Sequence, residues 1–381
     1  IRDRENHISS DSWPIYISLQ KDGILFKMRR TQDLPDKESA TMFFQDCKLA
    51  HQAQITGISH SVKEILPPDL LDLTQLQKEA NIRYGFTASE VYDIAQSLYE
   101  KKLISYPRTS SRYLTEDVFD SLPPIMACLL SWELFPAAKG TGGIDISNLS
   151  RHVISAEKAN VHHAIIITGI RPGNLSEKEM QVYRLVAGRM LETFMAPCRI
   201  ETTNVEAVCA AQHFKAEQTR IIEAGWHDVF MRYDMIPTSG YSVKELPEVE
   251  KGDTLNVCGC NMVHKKELPV DPFTDAELVE YMELNGLGTV SSRTNIIRTL
   301  VNRKYIRYSG KYIVPTPKGM FTYETIRGKK IADTSLTADW EKQLAGLESG
   351  MITGQDFLNR IRTLAKEMTD DIFNTYSTKE E

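Results

Sequence analysis

Tyr106 and Arg108 stand two residues apart in the run Leu103-Ile104-Ser105-Tyr106-Pro107-Arg108-Thr109-Ser110-Ser111-Arg112-Tyr113-Leu114. A phenol that attacks a phosphodiester needs a cation close by, because negative charge grows on the phosphate oxygens as the new bond forms. Arg108 supplies a planar fork of donors suited to that group. On an extended segment, residues two apart share a face, so both side chains can meet one phosphate. Pro107 favours extended backbone at Tyr106 and prevents a preceding helix from running on. Taken alone, Tyr-x-Arg is a common spacing. His162-His163 offers a second candidate, since an imidazole titrates near neutrality and can hold a phosphate oxygen or carry a proton. A His pair ahead of an apolar run is by itself as a rule structural.

The elements that must position these groups are marked in the sequence. Thr87 and Glu90 form a capping-box pattern, and Val91, Ile94, Ala95, Leu98 and Tyr99 follow at helical spacing. That helix should end at Lys101-Lys102 and deliver the Tyr106 segment. Residues 13–20, 23–29 and 50–60 read as strands, with a short helix over 37–47. Pro67-Pro68 breaks the chain before a helix around 74–81. Ser176 and Glu179 cap a second long helix, stopped near Pro197, after which 200–260 returns to strand-like alternation. Thr274 and Glu277 cap another helix. A helix over 292–303 and a hairpin over 305–314 then give a winged-helix-like arrangement. Residues 98–104 echo residues 300–306, which suggests two related units. Only the tail, residues 377–381, reads as disordered.

At 381 residues the chain has room for two to four domains, and no apolar run approaches a membrane span. The six cysteines are scattered; Cys258-Gly259-Cys260 with His264 nearby lacks a fourth ligand, so these read as strand or turn residues. Reduced thiols in the cytoplasm are the plain expectation. A net charge of −6 argues at first against a nucleic-acid partner. The distribution reverses this. Residues 290–330 hold ten Lys or Arg and one acid, Glu324, leaving 35 basic and 50 acidic residues elsewhere, so a +9 segment sits in a −15 remainder. Local charge is what meets phosphate.

The stretch Tyr84-Gly85-Phe86-Thr87-Ala88-Ser89-Glu90, through Ile94-Ala95-Gln96-Ser97-Leu98-Tyr99-Glu100-Lys101-Lys102 and into the Tyr106 run, resembles type IA DNA topoisomerases of the topoisomerase III branch. His162-His163-Ala164-Ile165-Ile166-Ile167-Thr168 resembles that family's His-His-Ala-Ile-Ile-Pro-Thr block, with Ile167 in place of proline. Gly286-Leu287-Gly288-Thr289-Val290-Ser291-Ser292-Arg293-Thr294-Asn295-Ile296-Ile297 resembles its Gly-x-Gly-Thr-x-x-x-Arg segment. Three blocks in order, spread over about 67–320, are far more specific than any one of them.

The resemblance implies an isomerase that cleaves and reseals single-stranded DNA through a 5′-phosphotyrosine, allowing strand passage, relaxation and decatenation without consuming a nucleotide. Catalysis would fall to Tyr106, Arg108 and His162. DNA contacts would fall to Thr109, Arg112, His163, Thr168, Gly288, Thr289, Ser291, Ser292, Arg293 and Thr294, with His163 as a supporting partner. The implied fold is α+β, a multidomain arch or partial ring. Its parts are a strand-rich domain begun by 1–81 and completed by 200–270, an inserted helical tyrosine domain over 82–199, and a helical winged-helix-like DNA-binding domain over 271–381. Single-stranded or underwound DNA is the implied partner of a cytoplasmic monomer, nucleoid-associated if bacterial.

The family holds Mg2+ through clustered acids in an N-terminal Toprim domain. Glu5, Asp11, Asp33 and Asp36 are dispersed here, so no metal ligand is assigned. With Ile1 rather than Met at its start, the chain is read as a fragment, catalytically silent alone. One departure is Thr109-Ser110-Ser111 where the family usually has Thr-Asp-Ser. Two alternatives remain: a non-catalytic single-stranded DNA-binding remnant, and a tyrosine recombinase, which would link DNA through the 3′ side.

Overall fold

A computed structural model describes residues 9–132, 134–135, 144–159, 162–231 and 239–377. Glu5 and the tail 378–381 therefore lie outside the described residues. The chain divides into two compact units. Residues 1–68, 135–149 and 191–271 make the first; residues 69–134, 150–190 and 272–381 make the second.

The first unit closes a six-stranded barrel. β1 (Ile15–Lys21) and β2 (Ile24–Arg30) form a hairpin, α1 (Lys37–Leu49) follows, and β3 (Gln52–Ile65) ends the early strands. β4 (Cys198–Cys209), β5 (Gln212–Glu223) and β6 (Thr254–Met262) complete it. Round the barrel the order is β1-β2-β5-β4-β3-β6, with every neighbour antiparallel. Closure removes the unpaired edges that an open sheet would present to other chains. Alternation supplies the interior: Ile15, Ile17 and Leu19 of β1 are buried, with Phe26, Met28, Ile55, Val205, Ala207 and Phe214 packed in the same core. Asp36 caps α1 by accepting the Ser39 N–H at 2.7 Å. β4 and β5 are joined by Ala210-Ala211, whose φ values are +48° and +60°. Two positive φ angles suit the right-handed twist of a hairpin, yet neither residue is Gly or Asn. Cys258 and Cys260 lie on β6, and His264 stacks on Trp13 with ring centroids 5.1 Å apart. They are the strand and turn residues expected.

The second unit is mainly helical. It contains α2 (Leu73–Tyr84), α3 (Ala88–Glu100), α4 (Glu177–Phe194) as far as Met190, α5 (Asp275–Leu284) and α6 (Arg293–Asn302). The hairpin β7 (Ile306–Ser309) and β8 (Tyr312–Pro315) follows, then α7 (Pro317–Ile326), α8 (Thr334–Glu348) and α9 (Gly354–Ser377). The capping boxes Thr87/Glu90 and Thr274/Glu277 are both formed, and Ser176 and Glu179 exchange the same pair of bonds. Ala88, Val279, Met282, Ile297 and Ile313 make a common core.

α3 and α6 stop in the same way. The Lys102 N–H donates to the Tyr99 carbonyl at 2.8 Å and the Leu103 N–H to that of Leu98 at 2.9 Å. Lys304 N–H donates to Val301 and Tyr305 N–H to Leu300, each at 2.9 Å. Both lysines have φ +59°. The echo between residues 98–104 and 300–306 is thus one left-handed helix stop used twice, with lysine where glycine is usual.

Candidate active site

The stop after α3 turns the chain into the Tyr106 segment, which is then clamped to residues 164–168. Ser105 N–H donates to the Ile166 carbonyl at 2.8 Å, Ile166 N–H donates to the Ser105 hydroxyl at 3.0 Å, and Thr168 N–H donates to Leu103 at 3.1 Å. Residues 164–167 are buried, so this apolar run is a structural rail that carries His162 to the tyrosine. The ring centroids of Tyr106 and His162 lie 4.5 Å apart, tilted by 47°. Tyr99 meets Tyr106 edge-on at 5.4 Å. The Thr109 hydroxyl donates to the His162 carbonyl at 2.8 Å, fixing the backbone that bears the imidazole. His163 donates from Nδ1 to the Ala164 carbonyl at 2.7 Å.

Arg108 is held by α3. Its Nη2 donates to Gln96 Oε1 at 3.2 Å, and its guanidinium carbon stands 5.1 Å from the Tyr92 ring centroid. Its Nε is buried without a hydrogen-bond partner, and among the described residues no carboxylate pairs with it. Ser110 is exposed and supplies no acid. The cation is therefore oriented by neutral groups and keeps its charge for an anion. Tyr92, Gln96 and Tyr99 are the residues that sequence reasoning missed, although Tyr99 was counted in the apolar stripe. Their spacing of four and then three marks one helix face, and the signal was there to be read.

Arg108 also lines an open groove of about 540 Å³ with Tyr92, Ser291, Ser292, Asn295 and Thr299. Gly288 makes the turn into α6 with φ +70°, and a Cβ there would come within 2.8 Å of Ser292 Oγ. The Thr289 N–H donates to Ser292 Oγ at 2.8 Å, and Thr289 and Ser291 are exposed. Other site candidates are occupied by protein partners. Arg112 Nε donates to Asp72 Oδ2 at 2.7 Å, while Asp72 caps α2 through Gln75 N–H at 2.7 Å. Burial raises the Asp72 carboxyl above its ordinary value despite these two partners. The Thr168 hydroxyl donates to Lys102 at 2.6 Å. Arg293 is buried with Nη1 3.3 Å from Glu283, and buried Thr294 accepts from Gln77 at 2.9 Å.

Among the described residues, no group of three or more His, Cys, Asp or Glu is arranged to hold a metal ion. No described helix is long and apolar enough to cross a membrane.

A family profile described as DNA topoisomerase matches residues 1–359. The chain is 31% identical over 344 residues to a DNA topoisomerase 3 of Bacillus licheniformis, covering 84% of this chain and 47% of that protein. It is 30% identical over 355 residues to a DNA topoisomerase 3 of Bacillus subtilis, covering 86% and 48%. It spans about half the length of these relatives. A full-length topoisomerase I from Thermotoga maritima shares the fold, with TM-score 0.74, 22% identity, and coverage of 96% of this chain and 60% of that one.

Proposed function

Because this chain belongs to the DNA topoisomerase family, we propose that it carries the strand-cleaving tyrosine of a type IA enzyme acting on single-stranded DNA. The observation that carries the reading is the juxtaposition of Tyr106 and His162, with Arg108 two residues on and without an acidic partner among the described residues. Tyr106 Oη attacks the phosphorus, the bond to the 3′-oxygen breaks, and the strand is joined to the protein through its 5′-phosphate. Arg108 stabilises charge on the phosphate oxygens in both directions. His162 holds a phosphate oxygen or takes the phenol proton. Thr109 sets His162, and Gln96 and Tyr92 set Arg108. The leaving 3′-oxygen takes a proton from a donor outside these residues, and the resulting 3′-hydroxyl reverses the step, so bond energy is retained. The exposed hydroxyls of Thr289 and Ser291 and the basic β7–β8 hairpin guide the strand in a cytoplasmic enzyme. Metal chemistry is assigned to residues other than these.

The test joins residues 1–381 to the part of the Bacillus subtilis relative outside the match, then adds magnesium and end-labelled single-stranded DNA. A covalent adduct through the 5′-phosphate is expected, and residues 1–381 alone should bind the strand without forming one. Tyr106→Phe keeps the ring and removes the hydroxyl, so the adduct should vanish while thermal unfolding is unchanged. An adduct in the Phe variant, or linkage through a 3′-phosphate, rejects the assignment. Binding with no adduct in the joined protein would favour a non-catalytic single-stranded DNA-binding module.

A further inference from the structure

Three cysteines far apart in sequence meet in the barrel core. Cys47 comes from α1, Cys209 from the end of β4 and Cys260 from β6. Cys47 and Cys209 lie in one buried cluster, and Cys260 packs against it. Cys47 and Cys209 are buried, whereas Cys260 is partly exposed. The Cys260 sulfur also lies 3.9 Å from the carbonyl of Phe44, one turn before Cys47 on the same helix. All six cysteines are free thiols, and the trio is not arranged to hold a metal. We propose that Cys260 and Cys47 form an oxidation site that takes up a low-molecular-weight disulfide and converts it into an internal Cys47–Cys260 bond.

The chemistry follows from access. Thiol–disulfide exchange needs an exposed thiolate for its first step and only a neighbouring thiol for its second. Contact with the Cys47 thiol favours the thiolate on Cys260, and the same contacts with Cys209 and Cys260, together with burial, hold the proton on Cys47. Cys260 attacks one sulfur of the small disulfide, forming a mixed disulfide and releasing one thiol. Cys47 then attacks the Cys260 sulfur and expels the second thiol, which takes the Cys47 proton. Two protein thiols are oxidised and one small disulfide is reduced to two thiols. Burial of Cys47 does not impede the second step, because it is intramolecular. Cys209 stays reduced, as it is buried whereas Cys260 is partly exposed. The bond would close a covalent loop containing residues 48–259, with Tyr106 among them.

The experiment treats the folded chain with oxidised glutathione and reads intact mass and a non-reducing peptide map. Expected are a loss of two hydrogens, two fewer alkylatable thiols than the six of the reduced chain, and a peptide pair linking Cys47 to Cys260. Cys258, which is exposed, is removed by Cys258→Ser so that it cannot compete. Cys47→Ser should trap glutathione on Cys260, and Cys260→Ser should abolish the link. The wild-type map stands without either variant. A Cys47–Cys209 link, stable glutathione on wild-type Cys260, or six unreacted thiols in the folded chain each overturns the proposal.

Discussion

Asp275 offers the sharpest test of how the tyrosine-bearing helix is held. Its carboxylate is buried and accepts both the Ala88 N–H at the start of α3 and the Tyr308 hydroxyl at 2.9 Å. It thus serves the first turns of α3 and of its own helix α5, where anions are favoured. Asp275→Ala strands the buried Ala88 N–H and removes the partner of the Tyr308 hydroxyl. Each bond to a charged acceptor contributes about 1.5–3 kcal/mol, partly offset by relief of the buried charge. Opening at Ala88 should therefore become easier by roughly 10- to 150-fold, since each ~1.4 kcal/mol is tenfold. Amide hydrogen exchange at Ala88 reads this directly and needs no two-state assumption for a chain of two units. A cycle with Tyr308→Phe and Asp275→Ala should show a coupling of about 1.5–3 kcal/mol. Burial raises the Asp275 carboxyl above its ordinary value. Its folded state then holds the proton longer than its unfolded state does. Stability from this group is greatest below the unfolded value, and falls as pH rises through the folded one. Asp275→Asn should flatten that slope, leaving the share of Asp72, which is raised in the same direction. Unchanged Ala88 exchange in Asp275→Ala, or additive effects in the cycle, would refute the shared carboxylate.

Strand binding should weaken steeply with salt, and Lys311→Glu should reduce the slope of log K against log salt by roughly 0.7 or more, measured by fluorescence anisotropy. Lys311 is exposed on the hairpin turn, whereas reversing Arg293 would set a carboxylate against Glu283 and report unfolding instead. Replacing Ala210→Asn together with Ala211→Gly should raise barrel stability by about 1–2 kcal/mol in urea unfolding, because both positions are left-handed. A loss of stability would mean that the alanine side chains contribute packing which outweighs their backbone strain.

Local signals were legible and long-range ones were not. Thr87, Glu90, Thr274 and Glu277 announced helix starts because capping is written within four residues. The helix and strand mixture followed from periodicity, and the strands expected at 13–20, 23–29 and 50–60 appear within a few residues of those places. Closure of β6 against β1 and β3 carries no such mark, since it joins residues more than a hundred positions apart by backbone bonds alone. The stops at Lys102 and Lys304 were visible only as a repeated string, because a lysine at a left-handed position announces nothing by type. The Tyr106–His162 proximity depends on the rail formed by 164–167, which reads in sequence as ordinary core. Tyr92 and Gln96 lie on the α3 face beside Arg108, at right angles to the stripe that periodicity picks out.

The discontinuous barrel also constrains the order of folding. Ile65 and Cys198 are register partners on β3 and β4, so the chain leaves and re-enters the barrel at adjacent backbone positions. Joining those ends from an unstructured chain costs about 4 kcal/mol in loop entropy for the intervening residues 66–197. If the second unit's early helices form first, its ends are already drawn toward one another and much of that cost disappears. On a ribosome β1, β2 and β3 emerge long before β4, β5 and β6 exist, leaving apolar Ile15, Ile17, Leu19 and Ile55 without the strands that complete their core. Barrel closure is consequently a late event in synthesis, and the interval before it is when this chain is most exposed to aggregation.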